Sequence, residues 1–337
     1  MKNILPFIFL AQMLSAQTLP VKLVNKKADK KIEVWIGNNL FTNYIFPDKN
    51  VLKKPALFPV MTSKGTTITR GYPHAPRANE RTDHPHHVGV WLNYEWVNGD
   101  DFWNNSNTPP NPKSTYGTIV HKSITKIKSG KKKGQLIVTA DWLNKNDKVV
   151  LSEITEYTFQ GIDNQRIIDR KTTLVAINDT VLFKDVKDGF FAIRVAHELE
   201  HPSKTAEIFT DNNGVETKVP VMNNEGVTGN YRNSEGIEGE AVWSKRARWV
   251  NLKGQMKDEK ISVAIFDHPQ NVGYPSFFHA RGYGLFSINP LGRSVFTEGK
   301  EALNLKLEKG KSITFQYRLV VTSGETTDEM MNELAKF

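Results

Sequence analysis

From Lys31 to Thr322 the chain repeats one pattern: a short run rich in Val, Ile, Thr, Phe and Tyr, alternating apolar with polar, followed by a turn. KIEVWIG, GTIVHKSITKI, GQLIVTADWL, SEITEYTF, QRIIDRKTTLVAI, FFAIRVA, ISVAIF, YGLFSI and KSITFQYRLVVT each read as a strand. Connections such as SGKKKG, NKND and GIDN hold no helix, so successive strands run antiparallel. Such sheets bury their apolar faces by packing on one another, which predicts an all-β fold, a large antiparallel β-sandwich, and disfavours a parallel helix-and-strand architecture. The one helical pattern is TTDEMMNELAKF at the C-terminus, with Thr327 as its cap and Met330, Met331 and Leu334 on its apolar side. No repeat and no Pro, Gly or Ser linker divides the chain, so residues 18–337 are expected to form a single domain. Its longest loops are expected near residues 104–117 and 223–240, lengths that usually mark function or disorder.

Residues 1–17 stand apart. Lys2, the apolar stretch ILPFIFLAQML and the small residues Ser15 and Ala16 have the layout of a secretory signal peptide, so a periplasmic or secreted protein is expected. No later apolar run is long enough to span a bilayer. The chain has no cysteine, so no disulfide supports it and the core alone must. The net charge of +9 comes from short basic runs, NKKADKK, KSGKKKG and KGK, without interleaved aromatics. They read as solvated turns rather than a nucleic-acid surface, leaving solubility or attraction to anionic polymers such as acidic polysaccharides.

The densest chemistry is RTDHPHHVGVW, Arg81 to Trp91, which holds three of the nine histidines. Histidine is the side chain whose unperturbed charge changes near neutral pH, so clustering of this kind points to proton transfer or metal binding. Pro85 biases His84 toward an extended conformation, in which His84 and His86 share one face and His87 takes the other. A metal site needs further converging ligands, and no other segment offers a matching pair. An acid/base site asks less, since Asp83, Asp100 and Asp101 can orient and tune an imidazole.

Three further segments interrupt the strand pattern. KDGFFAIRVAHELEHP contains a literal HExxH, yet the alternating FFAIRVA before it and Pro202 after it leave no room for the helix on which that motif binds zinc. NSEGIEGEAVWSKRARWV reads as a charged strand from Glu240 to Trp249, with Arg246 among its cations. FDHPQNVGYPSFFHARGYGLFSINPLG carries a second DHP, around His268, and then His279, Arg281, Tyr283 and Asn289. Two DHP tripeptides at strand ends are expected to place two loops at one rim.

Taken together, TRGYP, DHPHHVGVW, VNGDDFW, NSEGIEGEAVW, KRARWV, IFDHPQN and HARGYGLFSINP resemble the bacterial family labelled "methane oxygenase PmoA-like", a domain of unknown function, from about Arg70 to Phe296. The resemblance implies an exported β-sandwich, often encoded among polysaccharide-degrading functions and similar in layout to galactose-mutarotase-like supersandwiches. It further implies a sugar site on a sheet face, with a histidine acid and a carboxylate base.

The leading expectation is a carbohydrate-active enzyme that cleaves a glycan or glycoside by hydrolysis or elimination, without a cofactor. His86 or His87 is expected as acid and Glu240 or Asp83 as base or nucleophile, with His279 a further catalytic candidate. Arg70, Arg246 and Arg281 are expected to bind hydroxyl or carboxylate groups, and Trp91, Trp103 and Tyr283 to stack on sugar rings. His84, Asp101, His268 and Asn289 complete the expected contacts. Two alternatives remain open: a non-catalytic glycan-binding protein, and a metal-dependent oxygenase or hydrolase using His84, His86 and one of His197, His268 or His279.

Overall fold

The computed structural model describes residues 17–111, 113–203, 207–210, 216–219 and 224–337. The leader expected over residues 1–17 lies, Gln17 apart, outside them. Two antiparallel sheets carry the fold. The larger runs in the order Asn230–Asn233, Trp249–Met256, Glu259–Asp267, Ser312–Ser323, Gln165–Ala176, Val149–Ile162, Lys133–Leu143 and Thr118–Lys128, with Thr18–Leu19 paired to Val149–Ile162. The smaller runs Phe277–Ala280, Leu285–Asn289, Gly189–Arg194, Val90–Tyr94, Ala56–Val60, Asn39–Ile45, Lys31–Ile36 and Val21–Lys26. Each of the nine strands read from the runs rich in Val, Ile, Thr, Phe and Tyr is present.

The period-two pattern does its work at the interface between the sheets. Lys133–Leu143 alternates buried and half-buried residues along almost its whole length, so one of its faces is dry. Side chains from the two sheets meet there as aromatic pairs: Tyr44 with Tyr157 at 5.9 Å, Phe190 with Phe315 at 4.4 Å, and Phe191 stacked on Tyr317 at 5.2 Å between ring centroids. These residues belong to one continuous apolar core.

The middle of the smaller sheet breaks the alternation. Val90–Tyr94, Gly189–Arg194 and Leu285–Asn289 are buried at every position, so their second face is covered as well. The cover is a separate apolar cluster in which Leu52, Phe58, Val88 and Trp103 close over Trp91, Ala192 and Leu285. Ala192 lies directly opposite Trp91 in the ladder, and Arg194, two residues on, shares that face. The candidate site is built on this covered outer face.

The larger sheet is capped by the C-terminal helix Asp328–Leu334, where the Thr327 hydroxyl accepts from the Met330 amide. Met331 packs with Trp249, Phe266 and Val320, and Leu334 against the same cluster, whereas Met330, expected on the apolar side, is exposed. Other expectations are corrected. The loop near 223–240 contains the strand Asn230–Asn233 and the start of a 3-10 turn at Gly239–Val242, so Glu240 sits on a turn and the strand begins only at Trp249. Backbone geometry accounts for this: Ser244 takes a φ of 60°, which breaks an extended run. HELEH, by contrast, forms no α-helix but a short 3-10 turn, His197–Leu199, in line with the reading that Pro202 and the strand before it leave no room for one.

Gly89 joins the histidine loop to its strand. Its φ is +60°, and a Cβ there would sit 2.1 Å from the Leu57 carbonyl oxygen on the neighbouring strand. We expect Gly89→Ala to cost about 3 kcal/mol or more, from backbone strain plus a clash that only a strand shift relieves. A denaturant midpoint unchanged from wild type would contradict this.

Candidate functional site

Two buried guanidiniums organise the loop from Arg81 to Val88. Arg70 is 1% exposed, and its side chain donates to the carbonyls of Asp83 at 2.7 Å, His84 at 2.8 Å, His87 at 3.2 Å and Arg81 at 3.3 Å. Arg194 is 0% exposed and comes from the adjacent strand end; it donates to the Asp83 carboxylate at 2.7 Å and to His87 Nδ1 at 3.1 Å. Asp83 also accepts from Arg70 at 3.1 Å, so one carboxylate balances two buried cations. Burial pushes the Asp83 carboxyl upward, but Arg194, the His84 hydrogen bond and Arg70 outweigh it and hold the group well below the usual carboxylate range.

The loop folds differently from an extended chain. His84 takes a φ of 47° and its carbonyl accepts from the His87 amide, so a tight turn replaces the expected shared face of His84 and His86. The His84 ring instead lies between two parallel rings, His87 at 4.9 Å and Tyr283 at 5.1 Å. Its Nδ1 bonds the Asp83 carboxylate, and its side chain is 41% exposed. An imidazole whose Nδ1–H is bonded to a carboxylate presents Nε2 as a proton acceptor, since the hydrogen bond fixes the tautomer.

His86 and His87 are buried beneath. Arginine only donates, so the contact from Arg194 makes His87 Nδ1 an acceptor and puts the neutral ring's proton on Nε2. Burial and the surrounding cations push both imidazoles well below their usual range and keep them neutral. Both His86 ring nitrogens are buried without a partner among the described residues. Lys54 lies below, donating to the His86 carbonyl at 2.5 Å with its ammonium 5.2 Å from the Trp91 ring centre. Burial pulls the Lys54 ammonium down to about 7, with Asp101 acting the other way.

Beyond Tyr283, whose ring stacks on His84, opens a cleft of about 460 Å³. Tyr283, Arg281 and Gly282 line it from the hairpin tip between Phe277–Ala280 and Leu285–Asn289, and Arg81, His201 and Glu240 line it from three other segments. The tip is held by Arg281 and Leu285 in a backbone hydrogen bond, by the Tyr231 hydroxyl donating to the Arg281 carbonyl, and by the His201 amide donating to Gly282. A Cβ on Gly282 would lie 2.7 Å from a Glu240 carboxylate oxygen, so the glycine leaves room for that group. Arg281 lies over Trp243 and Tyr283, at 5.7 and 5.9 Å. Arg81 donates to buried Glu200 at 2.8 Å.

The structure thus brings Arg70, Asp83, His84, His86 and His87 together and sets Tyr283, Arg281 and Glu240 beside them. The remaining candidates fall elsewhere. Trp91 and Trp103, expected as sugar platforms, are buried in the second apolar cluster beneath His87 and present no face to a ligand. Tyr283 has one face taken by His84. Asp101 accepts from the backbone of Trp103 and Asn104 and holds a turn. Asn289 donates to the carbonyls of Val186 and Lys187. Buried His279 donates from Nδ1 to the Lys187 carbonyl. Arg246 binds the carbonyls of Gly273 and Pro275 and pairs with Glu301. His268 packs against Phe337 beside the larger sheet, so the two DHP segments belong to different sheets. Among the described residues no group of three His, Asp or Glu side chains could hold a metal ion.

Arg194, Lys54, Arg81 and Glu200 were not among the expected site residues. The legible signal for Arg194 was a cation closing the apolar run FFAIR: a charge within a buried strand must find a carboxylate.

A family model described as "Family of unknown function (DUF6807)" matches residues 31–336. The chain belongs to this family. Its description offers no support for the methane-oxygenase label that the motifs resemble, and no curated protein matches DUF6807's member here. Among solved structures, the GH36 α-galactosidase AgaB from Geobacillus stearothermophilus is 10% identical with a TM-score of 0.44, over 90% of this chain and 41% of that one. This chain therefore spans less than half of that enzyme. The Slr1438 protein from Synechocystis sp. PCC 6803 gives 9% and 0.35 over 96% and 100% of the two chains. A GalM/aldose epimerase homologue from C. elegans gives 11% and 0.27 over 93% and 100%. Likenesses of this size carry no functional argument. No helix among the described residues is long and apolar enough to cross a membrane.

Asp83→Asn should destabilise the fold by about 2 kcal/mol at neutral pH, less than a fully buried broken pair because the side chain is 32% exposed. The folded-state pKa lies below the unfolded one, so this stabilisation is present above about pH 4 and is lost as pH falls further. Denaturant titrations should therefore show the variant and wild type converging as the pH is lowered below about 4. Parallel curves down to strong acid would contradict the assignment.

Proposed function

We propose that this protein is an exported carbohydrate-active enzyme that cleaves a glycan or glycoside by acid–base chemistry in the cleft beside His84. The observation that carries this reading is the Asp83–His84 pair: a half-exposed imidazole, oriented by a carboxylate that two buried arginines keep ionised, stacked on the tyrosine that lines the cleft. A loop built only for stability has no use for an imidazole held in one tautomer at the surface. His84 is the proton-transferring residue and Asp83 its positioning residue. His86 and His87, the acids expected from sequence, are buried and held neutral and pack against the His84 ring, His86 also lining a separate cleft of about 390 Å³.

What supports a sugar as ligand is the lining. Arg281, Glu240 and His201 offer hydrogen-bonding groups at several angles, beside the paired Arg81, with Tyr283 as the one aromatic wall among the described residues. Small apolar ligands are held by apolar pockets with few polar groups; a cleft this polar suits a polyhydroxylated one. Glu240 is placed to accept from sugar hydroxyls.

Screening the full chain against a panel of glycans, with product masses as readout, identifies the substrate. On that substrate His84→Ala should lower kcat/KM by about 10²–10⁴-fold, the usual size of a lost general acid or base. Glu240→Gln should act mainly by raising KM. Wild-type kinetics in both variants would dismiss the reading, and binding without any change in product mass would favour a glycan-binding protein instead.

A further inference from the structure

Arg281 and Glu240 line the same cleft, yet neither side chain forms a hydrogen bond or ion pair among the described residues. The other strongly bound charges around them are paired: Arg70 and Arg194 with Asp83, and Arg81 with Glu200. Arg281 is exposed on a hairpin tip tied by backbone hydrogen bonds, with its guanidinium 5.7 Å from the Trp243 ring centre and 5.9 Å from that of Tyr283. Tyr283 is flanked by the guanidiniums of Arg194 at 4.9 Å and Arg281 at 5.9 Å, and its hydroxyl has no hydrogen-bond partner among the described residues. An unpaired guanidinium and a phenol therefore line one cleft, the carboxylate-oriented imidazole of His84 is stacked on that phenol, and Glu240 is the single carboxylate of the lining among the described residues.

We propose that the cleft takes an acidic sugar, a uronate residue within a glycan, with its carboxylate on Arg281, and that Tyr283 is a catalytic proton donor in a β-elimination. This rests on the acid–base reading of His84 and names its substrate class. Hydrolysis of a glycosidic bond uses two carboxyl groups across the bond. Among the described residues the cleft supplies one, whereas elimination needs none as nucleophile. His84 Nε2 removes the proton at C5, the carbon bearing the carboxylate. The C5–H electron pair becomes the C4–C5 double bond, the C4–O bond breaks, and the departing oxygen takes the Tyr283 hydroxyl proton. The proton on His84 later returns the tyrosine to its starting state through solvent. No oxidant or reductant enters. Arg281 matters because charge accumulates on the carboxylate as C5 loses its proton, and a preorganised guanidinium stabilises that charge in the transition state. Burial keeps the Tyr283 phenol protonated, pushing it up to about 12, the state a proton donor requires.

The full chain should be incubated with 4-linked uronate polymers, polygalacturonate, alginate and a glucuronate-containing glycan, beside their methyl-esterified forms and a neutral glucan. Elimination yields fragments whose masses sum to the parent without added water and whose new ends absorb ultraviolet light as conjugated unsaturated acids. Arg281→Gln should lower kcat/KM by about 10²-fold or more on the free acid and much less on the methyl ester. Tyr283→Phe should lose most activity, and lose less of it on a substrate with an aryl leaving group, which a merely structural tyrosine would not show. Fragments carrying added water, turnover confined to neutral glycans, no turnover of any uronate polymer, or an Arg281→Gln loss equal on acid and ester would each overturn this inference. An undiminished rate in His84→Ala on whichever glycan is cleaved would instead overturn the acid–base reading itself.

Discussion

The region around the histidines depends on keeping two guanidiniums ionised inside the protein. Isolated charges there would be prohibitively costly, so Arg70 and Arg194 must be saturated, and the loop from Arg81 to Val88 supplies what they need. Four loop carbonyls face Arg70, and the Asp83 carboxylate bridges both cations. The loop conformation follows from this demand, including the turn at His84 that stacks three rings in a row. Removing the charge on Asp83 would therefore disturb the shape of the site as well as its chemistry.

The same arrangement divides the labour among the histidines. His86 and His87 lie on the protein side of the loop, next to Lys54 and the two arginines, where a further positive charge is unfavourable. His84 lies on the solvent side, where the Asp83 carboxylate offsets that field. Neighbours in sequence thus acquire opposite roles within a few ångströms. The cleft repeats the logic at its wall: Arg81 is paired with buried Glu200 and supports, while Arg281 lies exposed beside Trp243 and Tyr283 and keeps its donors free among the described residues.

Much of the fold was legible because its cause is local. Lys133–Leu143 and Ser312–Ser323 show their dry face in their own alternation, and Thr327 announces the terminal helix through a cap that needs only three residues. The site was legible only in outline. RTDHPHH marked the loop, but the alternation rule that works for a strand misplaced His84, because hydrogen bonds from Arg70 outweigh the extended preference before Pro85. Trp91 and Trp103 looked like sugar platforms because aromatic residues near polar ones look alike whether they cap a core or line a groove; the cover over the smaller sheet's outer face buries them.

The sequence by itself determined the antiparallel sandwich, the C-terminal helix and the segment in which the chemistry would concentrate, since side-chain periodicity, capping and rare-residue clustering are properties of neighbouring residues. Which histidine is exposed, which carboxylate orients it, and which arginine faces the cleft were decided only by tertiary structure. Burial and ion pairing are relations between residues far apart in the chain: Asp83 finds Arg194 across 111 positions, and the Arg81 contact to Glu200 spans 119. No local pattern carries that information.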